Sequence, residues 1–505
     1  MENFKLFSVL ACSVTACGPG SPALAASMGK AEHVVVIVWD GMRPDSISPQ
    51  HTPTLHRLAQ QGAWFKQHHA VYVPTTEVNG VALNTGDKLK PVAAEDPDVV
   101  RRGDLVTHGH YLPVPTLAEI FQETGFRTAI CGTKAVPLLF DRSDKRTSPA
   151  AGESAVFYNG HALPPSAMAK MLTPNEGHPF PAQVTFPNLA QDQWTTTALT
   201  RGLWNHDVPR FSLLWLSDPD FTQHERGPGS KPALAALDSA DRNLAAVLQR
   251  LEELNVRDKT DVFVVSDHGF STVERSVDIV AALKQAGFNT VKELHGSQTG
   301  EVLVVTLNGS VSLYVPGHDE TTIRKLAAFF QSSDFAGVIF CRLQVEGTFP
   351  LEQIRIAAAH APDLLVSMRW SAGHNEFGTP GLLVAASDKK PKGAHGALSP
   401  FDTHNTLVAA GPDFRQGFSD DLPTGNADLA PTILWILGLK PPQPMDGRLL
   451  SEALAGLNPP ESKVERTRIE ARHDLEGFRW HQYLSLATLG ESIYFDEGNA
   501  ESVAK

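Results

Sequence analysis

Three apolar runs in this chain each end on an acid, or on an acid and a histidine, and no other feature constrains the fold as tightly. His33-Val-Val-Val-Ile-Val-Trp39 leads into Asp40-Gly41. Phe211-Ser-Leu-Leu-Trp-Leu216 is followed by Asp220 and His224, and Asp261-Val-Phe-Val-Val-Ser266 leads into Asp267-His268. Runs this continuous, with many β-branched residues, read as strands buried on both faces, the pattern of a mostly parallel sheet covered by helices. In such a sheet ligands gather outside the carboxyl ends of the strands. Three strands delivering carboxylates and imidazoles at that edge point to a metal-assisted hydrolase.

The segments between these runs carry helix signals. Pro53 after Thr52, with Leu55 and Leu58, and Gly62 beyond, follows the order of proline inside the start and glycine past the end. Thr116 and Glu119 form a capping-box pattern before Ile120 and Phe121. Leu234, Leu237, Leu244, Val247, Leu248, Leu251 and Leu254 fall on one helical face. Thr128-Ala-Ile-Cys131 and Thr406-Leu-Val-Ala-Ala410 read as further strands, 429–437 as a helix, and 483–495 as a hairpin turning near Gly490. The expected architecture is a three-layer α/β/α sandwich. Two stretches fit the alternation poorly, 138–205 and 275–380, and are expected as insertions over the ligand edge.

Bulk properties bound the rest. The chain has 505 residues and a net charge of −13 from 43 basic and 56 acidic side chains. That excess of acid argues against a nucleic-acid backbone as partner. It leaves small anionic substrates open, because a bound cation reverses the local sign. Lys5, the apolar stretch from Leu6 to Ala16, and Ala23-Leu24-Ala25 outline an export signal over residues 1–26, too short to span a bilayer. Val14-Thr15-Ala16-Cys17 is similar to a bacterial lipobox, which would anchor Cys17 to lipid. The expectation is therefore an exported chain, periplasmic, secreted or lipid-anchored, with a catalytic domain over 27–455 and a C-terminal extension over 456–505. Cys131 and Cys341 are either a disulfide or two buried thiols.

The candidate ligands are Asp40, Asp220, His224, Asp267, His268 and His395, the last in His395-Gly396. Mixed carboxylate and imidazole sets favour zinc-like ions over magnesium or calcium. A set this large suits two ions, and two-metal sites clamp the attacking and leaving oxygens of a phosphoryl displacement. A nucleophile is also needed. Thr76, in Val73-Pro-Thr-Thr-Glu-Val-Asn79, stands where a helix begins, a place that favours phosphate. Read alone, it is better explained as an N-cap residue.

The pattern resembles the type I phosphodiesterase/nucleotide pyrophosphatase family of the alkaline phosphatase superfamily. In that family a threonine nucleophile is followed by asparagine three residues later and by Thr-Gly nine and ten later, matching Thr76, Asn79, Thr85 and Gly86. Its Asp-x-x-x-His-x-x-Gly-Pro is matched by Asp220, His224, Gly227 and Pro228, and its Ser-Asp-His-Gly by Ser266 to Gly269. The resemblance implies two Zn2+ per chain. Asp220, His224 and His395 would hold one; Asp40, Asp267, His268 and the Thr76 oxygen would hold the other. It implies hydrolysis of phosphodiester or pyrophosphate bonds in a small phosphoester through a phospho-threonine, with Asn79 helping to hold a phosphate oxygen.

Glu77-Val78 and Gly80-Val81 depart from the aromatic-Pro and His-Tyr that nucleotide pyrophosphatases often carry there, which leaves nucleotide preference open. A phosphomonoesterase of the same superfamily and a catalytically silent, metal-stabilised binding protein are the alternatives. A sulfatase would need a Cys or Ser motif that Thr76 does not supply. Lys134 reads as a solvated surface lysine, with a phosphate-reaching role as its alternative, and His404 as structural.

Overall fold

The structure, a computed structural model, describes residues 29–87, 96–143, 151–291, 300–356, 361–459 and 462–505. The expected export signal, with Cys17, lies outside the described residues. Among the described residues no helix is long and apolar enough to cross a membrane.

Nine strands form the main sheet: β1 (His33–Trp39), β2 (Ala63–His69), β3 (Thr128–Gly132), β4 (Ala155–Tyr158), β5 (His161–Leu163), β6 (Phe211–Leu216), β7 (Thr260–Val265), β8 (Leu407–Ala410) and β9 (Phe418–Gly425). Their order is β9-β2-β8-β7-β1-β6-β3-β4-β5. The central run β7-β1-β6-β3-β4 is parallel, while β8 and β5 are antiparallel to their neighbours. The three runs read as buried strands are β1, β6 and β7, side by side. Val34 pairs with Phe211 on one flank and Asp261 on the other, so their carboxyl ends lie level. Apart from a half-buried His33 at the start of β1, these strands are buried along their length, as unalternating sequences require.

Two cores, one on each face, cover the sheet. One packs Val34, Val36 and Val38 against Leu117, Phe121, Ile433 and Leu434; the other packs Val35 and Ile37 against Leu237, Leu244, Val247 and Leu251. The second set lies on Lys231–Glu253, whose Ser230 side chain accepts the Ala233 N–H at the N-terminus. The capping box at Thr116 and Glu119 forms in both directions before Leu117–Glu123. The result is the expected alkaline-phosphatase-like sandwich.

The two irregular stretches differ from each other. Within 138–205, β4 and β5 continue the main sheet at its edge. They are short, three and four residues, which is why no strand period stood out. Within 275–380, a separate six-stranded sheet forms, backed by Glu320–Gln331, with its own core around Leu313, Leu326, Phe330 and Val366. The chain ends in a three-stranded antiparallel sheet, Val464–Asp474, Phe478–Leu489 and Ser492–Ala504, whose second turn is at Gly490. Gln482 there accepts from the Ile339 N–H and donates to its carbonyl. Leu484, Leu486 and Phe495 pack with Tyr72 and Val73, just ahead of Thr76. Cys131 and Cys341 are unpaired and lie in different cores.

Leu244 is fully buried between the long helix and the sheet. We predict that Leu244→Ala costs about 2–5 kcal/mol, read as a lower urea midpoint; a midpoint equal to wild type would contradict this packing.

Candidate metal centre

Four neighbouring strands each deliver one charged side chain to the same edge of the sheet. Asp267 follows β7, Asp40 follows β1, Asp220 follows β6 and Lys134 follows β3. All four are buried. The Asp-Gly at the end of β1 has a steric cause. Gly41 sits at φ +68°, and a Cβ there would stand 3.0 Å from both Asp220 Cβ and Phe270 Cδ2. Its N–H donates to Asp267 Oδ1 at 3.1 Å, and the Asp220 N–H donates to the Asp40 carbonyl at 3.0 Å. The three acids are thus tied together through the backbone.

The histidines enter with their tautomers fixed. Nδ1 of His224 lies 2.9 Å from the Gly393 carbonyl, Nδ1 of His268 2.9 Å from the Gly269 carbonyl, and Nδ1 of His395 2.8 Å from the Pro74 carbonyl. A carbonyl only accepts, so each Nδ1 carries a proton. Burial holds His268 and His395 neutral, so their Nε2 atoms keep a lone pair, while Asp220 raises His224 against its burial. All three Nε2 atoms face the acids. His224 Nε2 is 3.3 Å and His395 Nε2 3.6 Å from Asp220 Oδ1; His268 Nε2 is 3.3 Å from Asp267 Oδ2 and 3.7 Å from Asp40 Oδ1. Two sets, Asp40/Asp267/His268 and Asp220/His268/His395, each bring their donor atoms within 4.8 Å of one another. His268 reaches both sets, its ring stacked on His395 at 3.6 Å between centroids. Oriented imidazoles of this kind are the usual outer support of metal ligands.

The donor set fits divalent cations. Asp40 Oδ1, Asp220 Oδ1 and Asp267 Oδ2 are buried without a hydrogen-bond donor. Asp40 Oδ1 and Asp267 Oδ2 face the lone pair of His268, and Asp220 Oδ1 faces that of His395, so acceptors face acceptors and a cation is the missing partner. Fully ionised, the three carboxylates would outweigh the one ammonium by two negative charges, a balance that two divalent ions would reverse to net positive.

Lys134 is not the solvated lysine expected from the sequence. It is 6% exposed, and its Nζ lies 2.9 Å from both Asp40 Oδ2 and Asp220 Oδ2. A short strand followed by Thr-Lys carries no sign that its neighbour in the sheet ends in an acid, so the sequence hid this pairing. Asp40 Oδ2 also accepts from Trp215 Nε1 at 2.8 Å. The outer oxygens are thereby held by protein donors, leaving the inner ones for ions. The acids respond unequally. Burial and the nearby Asp267 push the Asp40 carboxyl well above the usual range. Burial also works to raise Asp220, but Lys134, His224 and His395 outweigh it and hold it well below. Burial raises Asp267 to about 6 against the pull of Lys134. Burial lowers His268 to about 4, keeping the imidazole neutral.

Thr76 opens the helix Thr76–Thr85, which ends at Gly86 in the left-handed region, φ +71°. Its Oγ1 is 3.2 Å from His268 Nε2, on the same lone-pair side as Asp40 and Asp267. Asn79 lies elsewhere than expected. Its amide donates to the Val71 and Thr75 carbonyls at 3.1 and 3.2 Å, and its Oδ1 accepts from the Val71 N–H and from Asn426 Nδ2. The i+3 position turns it back under the loop, so it braces residues 71–75 and holds no N–H out to a phosphate. Asn426, which also donates to the Asp267 carbonyl at 2.7 Å, went unnoticed in the sequence. His404 stands apart from the centre, beside His69 and Asp496.

A sequence model of the type I phosphodiesterase / nucleotide pyrophosphatase family matches residues 34–91 and 93–375, well over half the chain. The chain belongs to this family. Its relatives include the human ectonucleotide pyrophosphatase/phosphodiesterase family member 5, 22% identical over 433 residues, covering 81% of this chain and 75% of that protein. The bovine bis(5'-adenosyl)-triphosphatase is 21% identical over 429 residues, covering 81% and 78%. A solved structure of the murine ectonucleotide pyrophosphatase/phosphodiesterase 5, an inactive form in complex with AMP, aligns with a TM-score of 0.57 at 16% identity, over 84% of this chain and 100% of that one. The human counterpart aligns equally well. Hydrolysis of phosphate esters is the family's chemistry, and the residue groups above are candidate metal ligands within it.

Replacing Lys134 by methionine leaves Asp40 and Asp220 without their shared cation. We predict a metal-free protein destabilised by roughly 3–5 kcal/mol and a larger zinc-induced rise in Tm than in wild type. Equal zinc-induced shifts in the two proteins would show that Lys134 does not balance these acids.

Proposed function

We propose that this chain is a zinc-dependent hydrolase of phosphodiester or pyrophosphate bonds in small substrates, acting through a phospho-threonine at Thr76. The observation that carries the reading is the Thr76 hydroxyl, buried at the start of a helix and 3.2 Å from the lone pair of His268, within the ring of candidate ligands. Asp40, Asp267, His268 and Thr76 would hold one ion; Asp220, His224 and His395 would hold the other. Two such ions would supply the positive charge that eases loss of a proton from Thr76 and from an attacking water, and that offsets charge on the phosphate oxygens.

The residues of the chain do the rest. The helix Thr76–Thr85 fixes Oγ1 and turns its positive end to the phosphate. Oγ1 loses its proton to solvent and forms a bond to phosphorus, while the bond to the leaving oxygen breaks with its electron pair on that oxygen, which takes a proton from solvent. Water then cleaves the Thr76–phosphorus bond, restoring the hydroxyl and releasing the phosphate product. Asn79, through its bonds to the Val71 and Thr75 carbonyls, acts as a positioning residue for the loop that carries Thr76.

Lys134 bears on the choice between diester and monoester. A monoester brings one more negative charge and needs one more nearby cation. The Lys134 ammonium is already committed to Asp40 and Asp220, which favours the singly charged phosphate group of a diester. At the position after Thr76, Glu77 supplies no aromatic surface for a base.

Zinc-loaded protein is therefore expected to turn over bis-p-nitrophenyl phosphate faster than p-nitrophenyl phosphate. The reverse order would favour a monoesterase, and no turnover of either would favour a silent metal-stabilised protein. Thr76→Ala is predicted to lower turnover by roughly a thousandfold or more while zinc content is retained; a rate near wild type would remove Thr76 as nucleophile. His224→Ala is predicted to lose one ion per chain and most activity, so full zinc content in that variant would contradict the assignment.

A further inference from the structure

Among the described residues, one cluster of candidate ligands lies outside this centre: His69, His404 and Asp496, with donor atoms within 4.8 Å of one another. His69 is the last residue of β2, His404 precedes β8, and the two are joined by an antiparallel backbone bridge. Asp496 comes from the last strand of the C-terminal sheet. Three parts of the chain, far apart in sequence, converge here.

We propose that His69, His404 and Asp496 form a third, structural site for a zinc-class ion, which fastens the C-terminal sheet to the catalytic domain. The ring of His69 is oriented by a backbone carbonyl, as in the main centre. Its Nδ1 donates to the Thr424 carbonyl at 2.9 Å, and its Nε2 stands 2.9 Å from Asp496 Oδ1. His404 Nε2 points to the same oxygen at 3.8 Å, too far for a hydrogen bond. An ordinary His–Asp pair accounts for His69 and leaves that second imidazole, 4.3 Å from the first between centroids, without a purpose. Tetrahedral zinc, with bonds of about 2.0–2.2 Å, sets its donors roughly 3.3 Å apart, and the two distances here lie on either side of that value.

The backbone supports the same reading. Ser485 pairs with Glu497 and Leu486 with Phe495, so Asp496 is the extra residue of a β-bulge. A bulge re-aims a side chain that regular pleating would send elsewhere, and this one turns Asp496 to the two histidines. Thr403 Oγ1 donates to the Asp496 carbonyl at 2.6 Å, and Arg466 lies 3.5 Å from Asp496 Oδ2, leaving Oδ1 on the histidine side. A groove of about 390 Å³ opens over His404 and Asp496 and gives an ion and a fourth, water ligand a way in. Two imidazoles and one carboxylate suit zinc better than calcium or magnesium.

The test compares zinc content in the full chain after loading and dialysis. Wild type is expected to hold one more zinc per chain than His404→Gln and than Asp496→Asn. The difference does not depend on how many ions the main centre takes. Amide exchange across 464–474 and 492–504 is expected to slow with zinc in wild type and not in His404→Gln. Asp496→Asn keeps a hydrogen-bonding group beside His69; should it fail to fold, His404→Gln, at the rim of the groove, decides alone. Equal zinc in wild type and folded variants would overturn the proposal, as would a site that fills with calcium or magnesium and not zinc.

Discussion

The structure depends on gathering three carboxylates in one buried place. Asp40, Asp220 and Asp267 repel one another, and burial adds a cost for each charge. The parallel strands β7, β1 and β6 bring them together because their carboxyl ends lie level. The neighbouring strand β3 brings Lys134 to the outer oxygens. Backbone bonds from Gly41 and Asp220 then hold the acids in register. What remains are inward oxygens facing inward lone pairs, an arrangement with large electrostatic demand and strict geometry. The groups that create this demand are candidate metal ligands, and the Thr76 hydroxyl lies beside them.

The second requirement is a rigid approach to that place. Thr76 stands at the junction of loop 71–75 and a buried helix, and the loop is pinned from several sides. Asn79 holds it from within, and Asn426 links Asn79 to the strand end that carries Asp267. His68 adds a bond from Nε2 to Asn426 Oδ1 at 2.9 Å. Tyr72 and Val73 are packed under the six-stranded sheet and the C-terminal sheet. Thr76 and the candidate ligands therefore share one continuous network of buried polar groups, walled by apolar packing.

Much of this was legible in the sequence, for a physical reason in each case. Buried parallel strands need unbroken apolar runs, so β1, β6 and β7 announced themselves. Acids at their ends break the pattern abruptly. The spacing of Thr76, Thr85 and Gly86 is that of one helix with its left-handed terminus. What escaped was whatever depends on sheet order. Lys134 reads as a surface residue until β3 is known to lie beside β6. Asn79 reads as a phosphate donor until its helix is seen to turn the amide back under loop 71–75. The edge strands β4 and β5 are too short to show a period, and the bulge at Asp496 leaves no local mark because register is a property of two strands.

One arrangement bears on how the protein is made. The strand that packs on Tyr72 and Val73 belongs to the final part of the chain, after every candidate ligand of the main centre. During synthesis from the amino end, the acids, the histidines and Thr76 all emerge before the segment that steadies the loop ahead of Thr76. That loop gains its packing against Leu484, Leu486 and Phe495 only after those strands have left the ribosome, so the site is held in place later than its side chains are made.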